Sequence, residues 1–322
     1  MACLTILQIY ISTCFTQHTA EKTQLVLEFD DFEDSAAICT IQKGGLRYID
    51  EWVDYHLAIG FEKIYIYDNS DDFELKQWYN TKREQQQNSN STVTVVVKHF
   101  PGPVQQQPSI TDCGISIQNA RSHSWIAFID LDEYIVLKKH KYILDLLHTV
   151  DKKKAGGLAL NWLLFDFNNH LKYKPLPMTK RFQRAALSAD QHVKTIVRTD
   201  QLRSHCGNPH GFIYIDEKLT GVDTAGKQLD PQYFNIGGPT DVAVIHHYYS
   251  KSIEEFASRC NRGRADIRIE EIKKEVELYC KNETEIFNDF TSSTNPTAFD
   301  DSAWVLLKER VPHYAKYDKV KD

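Results

Sequence analysis

The clearest pattern in the chain is an apolar run at 125–129 that stops in acid. Trp125, Ile126, Ala127, Phe128 and Ile129 have the composition of a buried strand, and Asp130, Leu131, Asp132 and Glu133 follow at once. Unpaired buried charge is very costly, so the carboxylates belong where the strand leaves the sheet. Strand alternation places Asp130 and Asp132 on the same side. Upstream, hydrophobic and polar positions alternate between strand and helix spacing. Residues 36–41 predict a first buried strand ending at Lys43-Gly44-Gly45. Leu46, Ile49, Val53 and Leu57 recur at helical spacing up to Gly60, where a helix stop belongs. A strand at 64–67 runs into the polar turn 68–72. A helix at 73–82, a Gln/Asn-rich loop at 84–91, a strand at 93–97 and a helix at 109–122 complete the first half.

Beyond the acid triplet the spacing predicts a helix at 142–150 and a buried strand at 157–165 that exits at Asp166. Residues 171–235 read as irregular, with a short strand at 195–197 and a cluster of His205, Cys206, Pro209 and His210. A last strand at 242–245 runs into His246, His247, Lys251 and Ser252. Ser252 with Glu255 three residues later is a capping box for a helical stretch over 253–280. The tail from 281 is polar apart from 303–307. Strands alternating with helices imply an α/β fold, a mostly parallel sheet covered by helices. In such sheets ligands bind beyond the carboxyl ends of the strands. Lys43, Asp68, His99, Asp130 and Asp132 would then share one crevice. The division expected is a leader over 1–35, a core domain over 36–265 and a helical extension over 266–322.

Composition narrows the function without choosing it. The 322 residues suffice for one large domain with additions, and a net charge of −6 argues against nucleic acid as the main partner. None of the seven cysteines forms a C-x-x-C pair, so a zinc or thioredoxin reading has no support. Residues 4–15 are mostly apolar but too short to span a bilayer, and they lack a basic start. They read as a weak signal, an anchor remnant or a plain leader, with membrane association open through that segment. Asn90-Ser91-Thr92 and Asn282-Glu283-Thr284 match the glycosylation pattern.

Several of these residues together resemble a known family. Asp50-Glu51-Trp52 with Tyr55-His56, Gly60-Phe61 and Ile66-Tyr67-Asp68-Asn69 resembles the opening of glycosyltransferase family 92 and related family-2-like enzymes. Trp125 with 129–133 resembles their strand and Asp-x-Asp motif. His247-Tyr248, Lys251-Ser252, Glu255-Phe256 and Arg262-Gly263 resemble their closing motif. The resemblance implies a GT-A (Rossmann-like) fold, a nucleotide-sugar donor such as a UDP-sugar, a glycan acceptor, a divalent metal and inversion at the anomeric carbon. It also implies galactose as the leading sugar and a Golgi or secretory setting, with a cytoplasmic one as the alternative.

Roles follow from chemistry and resemblance jointly. Asp130 and Asp132 are hard oxygen ligands that suit Mn²⁺ or Mg²⁺ shared with donor phosphates, and Asp130 also faces the donor. Their bland reading is a solvated acidic turn. His247 is the expected third ligand, with His246 the neighbour that could serve instead. Lys251 is expected on the donor diphosphate as a point charge. Asp68 is weighed equally as a ribose or base contact and as a turn former, and Lys43 as a nucleotide contact. Asp166 is the candidate general base by position, with Asp216 and Glu217 as alternatives. Trp162 and Phe165 could stack on an acceptor sugar, although buried core is the commoner use of such residues. Competing readings are a metal-dependent nucleotidyltransferase, which lacks a phosphate-cradling loop here, and a non-catalytic carbohydrate-binding protein.

Overall fold

The computed structural model describes residues 29–88, 92–230, 233–262, 265, 282–292 and 296–320. A 3₁₀ turn at Phe29–Asp31 leads into β1 (Ala36–Gln42), α1 (Ile49–Ala58), β2 (Lys63–Asp68), α2 (Lys76–Asn88), β3 (Val95–His99), α3 (Gln106–Ala120) and β4 (Trp125–Phe128). Next come β5 (Glu133–Leu137), α4 (Ile143–Leu147), β6 (Ala155–Leu164), α5 (Met178–Arg181), β7 (Arg184–Ala186), β8 (Val193–Arg198), β9 (Leu202–Asn208), β10 (Gly211–Tyr214) and β11 (Thr220–Val222). The chain closes with β12 (Ala243–His247), α6 (Ile253–Arg262), α7 (Glu283–Ser292), β13 (Thr297–Phe299), α8 (Ser302–Arg310) and a 3₁₀ segment, Pro312–Lys319.

The main sheet runs β3-β2-β1-β4-β8-β6-β12-β5, with β11 beside β6. β1, β2, β3 and β4 are parallel neighbours. β8 lies antiparallel between β4 and β6, β12 is parallel to β6, and β5 is antiparallel to β12. This register brings the carboxyl ends of β1, β2, β3, β4, β6 and β12 to one rim, together with the amino ends of β5 and β8. Strands such as β4, β5 and β8 are buried along their whole length, because helices and loops cover both sheet faces.

Several expectations change. β5 follows the acid triplet directly, where no strand was expected; Tyr134, Ile135, Val136 and Leu137 form the apolar run that carries it. β8 is a full central strand rather than a short irregular piece, and β9 and β10 form an antiparallel pair after it. α2 continues through the Gln-rich segment as far as Asn88, because Gln and Glu are adequate helix formers. Within the C-terminal extension, Ala303, Trp304, Leu307 and Tyr314 join the same core as Trp52 and Tyr134, and β13 pairs with β7. Before β1, Phe32 and Ser35 are already buried.

The leader over 1–28, Asn90 and residues 266–281 of the expected long helix lie outside the described residues. Asn282 is exposed, and its Oδ1 accepts the Glu285 N–H at the start of α7. Among the described residues no helix is long and apolar enough to cross a membrane. A disulfide, Cys39–Cys113, ties β1 to α3 across 74 residues of sequence.

Candidate active site

The acid segment is a tight turn between β4 and β5, braced from several sides. The Glu133 N–H donates to the Asp130 carbonyl at 3.0 Å, and Glu133 Oε2 accepts the Asp130 N–H at 2.8 Å. From α1, the buried Trp52 indole N–H lies 3.1 Å from the Asp130 carbonyl and 2.9 Å from that of Glu133. The Tyr248 N–H, just past β12, donates to the Asp132 carbonyl at 2.8 Å. Opposite, Gly45 packs so closely that a Cβ there would stand 2.4 Å from Leu131 Cδ1 and 2.6 Å from Gln42 Oε1. Any side chain at this position would have to displace Leu131 and Gln42 at the acid turn.

Two neighbouring carboxylates repel unless cations answer them, and here the answering cations are lysines of the chain. Lys194 Nζ, at the amino end of β8, lies 2.8 Å from Asp130 Oδ2 and 3.3 Å from Glu133 Oε2, with its side chain only 2% exposed. Lys251 Nζ lies 2.5 Å from Asp132 Oδ2. Burial raises the Asp132 carboxyl, but Lys251, then His247 and Arg259, outweigh it and hold it far below the usual carboxylate range. Asp130 is likewise lowered, with Lys194 overcoming burial. Burial, then the neighbouring Asp130, pushes Glu133 up to about 8, Lys194 offsetting part of the rise. Burial also opposes the Lys194 charge, yet Asp130 and Glu133 prevail and raise its pKa.

β12 delivers the imidazole by alternation. His247 turns toward the acids, Nε2 3.7 Å from Asp132 Oδ1, and burial lowers its pKa to about 4, so the ring is neutral. His246 turns the other way, 3.6 Å from Asp300 and against Phe165. Two ionised carboxylates and a neutral imidazole have the donor chemistry that suits Mn²⁺. As the side chains lie, however, no three such groups among the described residues stand close enough to enclose a cation. Lys251 takes one oxygen of Asp132 and Lys194 one of Asp130.

Lys251 itself is held by a buried network. It adopts a left-handed backbone, φ 52°, immediately before Ser252, which caps α6 through Glu255. Arg181, fully buried, donates to Glu255 from both terminal nitrogens at 2.7 and 3.0 Å, and the Tyr48 hydroxyl adds a third bond at 2.6 Å. Glu51 caps the start of α5, accepting the Met178 and Thr179 N–H groups.

On the other side of Asp130 a small, solvent-open cleft lies between β1, β4 and α3, lined by Cys39, Thr40, Tyr67, Ile110, Phe128 and Asp130. Thr40 Oγ1, on its wall, has no hydrogen-bond partner among the described residues. On the opposite flank the Trp162 ring packs against His247, His192 and His210, at centroid distances of 4.4, 5.1 and 5.3 Å.

Other predicted site residues are placed differently. Asp68 is fully buried and occupied: Oδ1 accepts the Ser70 N–H and hydroxyl, and Oδ2 accepts the Leu75 N–H, so its turn-forming role replaces donor contact. Lys43 stays exposed on the rim, 3.5 Å from Asp71. Asp166 sits just past β6, where Oδ1 accepts the Asn168 N–H at 2.6 Å and Oδ2 faces Arg184 at 3.8 Å. Asp216 and Glu217 follow β10 beside Gln201, at the far end of β8 from the rim, which removes them as base candidates. Phe165 is core; Trp162 alone of that pair reaches the rim. The side chains of His205 and Cys206 lie outside the described residues, and His210 Nδ1 pairs with the Val193 carbonyl.

Sequence reasoning missed Lys194, Arg181 and the Asp190–His192 pair. For Lys194 a signal existed, since a lysine amid Val193, Thr195, Ile196 and Val197 has to find an acid to be buried.

The chain is similar to known proteins over much of its length. Residues 42–208, just over half of it, match Glycosyltransferase family 92. A glycosyltransferase family 92 protein of Oryza sativa subsp. japonica is 25% identical over 226 residues, covering 70% of this chain and 35% of that protein. One from Ricinus communis is 28% identical over 229 residues, covering 69% of this chain and 36% of that protein. This chain thus spans about a third of the relatives it matches. Among solved structures, the apo form of the glycosyltransferase GlyE from Streptococcus pneumoniae TIGR4 aligns with 83% of this chain and 66% of its own, at a TM-score of 0.33 and 11% identity. On the match of its central half, the chain belongs to glycosyltransferase family 92.

Proposed function

We propose that the protein transfers a hexose, galactose in the leading reading, from a UDP-sugar to a hydroxyl of a glycan acceptor, with inversion at the anomeric carbon. The observation that carries this reading is the acid turn itself. Asp130 and Asp132 stand ionised on one rim, next to a cleft and between two buried lysines. The nucleoside would occupy the cleft lined by Thr40, Tyr67 and Phe128, with Asp130 at the ribose and Lys43 at its edge. Lys251 would hold the diphosphate as a point charge.

Asp130, Asp132 and His247 would hold Mn²⁺ or Mg²⁺, which when bound supplies Lewis-acid neutralisation of the departing diphosphate. The chain's own cations add to that effect: Lys251 and Lys194 are fixed before substrate arrives, so they cost little reorganisation. The Cys39–Cys113 bridge supports an oxidising compartment such as the secretory pathway. The test is to incubate the protein with a panel of UDP-, GDP- and CMP-sugars and Mn²⁺, with and without chelator, and to measure nucleotide release with glycan acceptors. Metal-dependent release from a UDP-hexose is expected; no release from any donor would overturn the reading.

A further inference from the structure

The loop that enters β8 carries a second arrangement of ionisable groups, one indole ring away from His247. His192 Nδ1 lies 2.6 Å from Asp190 Oδ1, and the His192 N–H donates to the same oxygen at 2.9 Å. Burial raises the Asp190 carboxyl, but these His192 hydrogen bonds outweigh it and lower its pKa, so Asp190 accepts and Nδ1 donates. That fixes the tautomer: the lone pair is on Nε2, which has no partner among the described residues. The ring is a third exposed. It stacks on Trp162 at 5.1 Å and 28°, and the Phe234 ring meets it edge-on at 5.1 Å.

Backbone bonds lock the loop. The Asp190 N–H donates to the Trp162 carbonyl at 2.8 Å, and the Trp162 N–H donates to that of His192 at 3.0 Å. Asn161 Nδ2 reaches the Asp190 carbonyl at 2.9 Å, and the Asn235 N–H that of Gln191 at 2.7 Å. An imidazole with its donor nitrogen tied to a carboxylate and its acceptor nitrogen open is the arrangement an oriented base requires. Around it stand His210, at 6.1 Å, with Lys194 and His247 across Trp162. Asp166, by contrast, already spends its oxygens on Asn168 and Arg184.

We infer that His192 is the general base for the acceptor hydroxyl, with Asp190 as its positioning residue; this rests on the glycosyl-transfer reading above. Nε2 takes the hydroxyl proton while the acceptor oxygen forms its bond to the anomeric carbon. The bond from that carbon to the diphosphate oxygen breaks, and its electron pair leaves with UDP. The imidazolium shares its charge with Asp190 and later releases the proton to water.

The experiment uses the full chain, a UDP-hexose that the wild type turns over, Mn²⁺ and a glycan acceptor. His192→Gln should lower transfer about 10²- to 10³-fold, the range a general base contributes. UDP affinity, read by calorimetry, should change less than about two-fold, and the acid limb of the pH–rate profile should disappear. His192→Ala should regain transfer with added imidazole, which a purely structural role would not produce. Asp190→Asn should fall between wild type and His192→Gln. Transfer by His192→Gln within about three-fold of wild type, with the acid limb retained, would overturn this inference and leave the transferase reading standing. A wild type that releases no nucleotide from any donor would overturn both.

Discussion

Lys251 reaches Asp132 from a left-handed backbone, φ 52°, and places Nζ 2.5 Å from Oδ2. A lysine rarely adopts this conformation, which costs on the order of 1 kcal/mol or more and persists only where its surroundings enforce it. Here the enforcing element is the amino end of α6. The same lysine that neutralises Asp132 is therefore poised beside the position assigned to the diphosphate. Asp132→Asn is expected to lower turnover at least about 10²-fold, with the far-UV spectrum near that of wild type and the melting temperature lowered, because Lys251 loses its partner. Lys251→Met should weaken UDP binding about ten-fold, as expected for loss of one charge-assisted contact. Near-normal metal-dependent transfer by Asp132→Asn would contradict the role given to that carboxylate.

Gly45 and Leu131 make a second pair with a sharp expectation. A Cβ at Gly45 would stand 2.4 Å from Leu131 Cδ1 and 2.6 Å from Gln42 Oε1, so Gly45→Ala has to displace the Leu131 and Gln42 side chains at the acid turn. Activity should fall about ten-fold or more, and stability by roughly 1–3 kcal/mol, the usual range for overpacking. Leu131→Ala removes the nearer of the two obstructing atoms, leaving only Gln42 Oε1 to shift. The double variant should thus be more active than Gly45→Ala alone, and a double variant worse than either single change would show that crowding is not the mechanism.

How far the site could be read from the sequence depends on how local its signals are. The place of Asp130 and Asp132 at a strand's end was legible because an apolar run ends in acid within a few residues, a pattern that needs no knowledge of the fold. That one of His246 and His247 would face the acids was legible, and alternation along β12 turns His247 toward Asp132 and His246 toward Asp300. Lys194 and Arg181 were not, because their partners lie 64 and 74 positions away in the chain and only the finished sheet brings them together. Asp68 stayed open for a related reason: Asp-Asn-Ser suits both a ligand contact and a turn, and the turn shows itself only once Leu75 folds back on the carboxylate. The first-half alternation and its shared rim were legible because β1 to β4 are parallel and locally connected. β8 was obscured by its antiparallel insertion between two parallel strands.

His56 makes a prediction about pH that does not involve the site. It is fully buried in α1, Nδ1 donates to the Trp52 carbonyl, and burial lowers its pKa to about 3. The folded ring therefore stays neutral where the unfolded one, titrating near 6.5, gains a proton. Below about pH 6.5 the unfolded state binds more protons, so this group's contribution to stability falls as pH falls toward 3. His56→Gln should flatten the slope of unfolding free energy against pH between about 4 and 6 by close to one proton. Urea unfolding at several pH values measures that slope, and an unchanged slope would mean the ring is protonated in the fold.

Arg181 and Glu255 are both almost fully buried, and each depends on the other. Burial raises the Glu255 carboxyl, but the Arg181 hydrogen bonds and charge outweigh it and bring it down to about 2. Arg181→Met leaves that carboxylate without its partner in the core, a change that costs about 3–5 kcal/mol when one side of a buried pair is removed. The loss should reach the site, because Glu255 caps α6 through Ser252, and Ser252 follows Lys251. UDP affinity should drop together with stability in Arg181→Met. Pairing the change with Glu255→Gln should restore part of the stability and of the affinity together, since the neutral amide relieves the buried charge and its oxygen can still accept the Ser252 N–H. Recovery of stability with no recovery of affinity would separate Lys251 from this network.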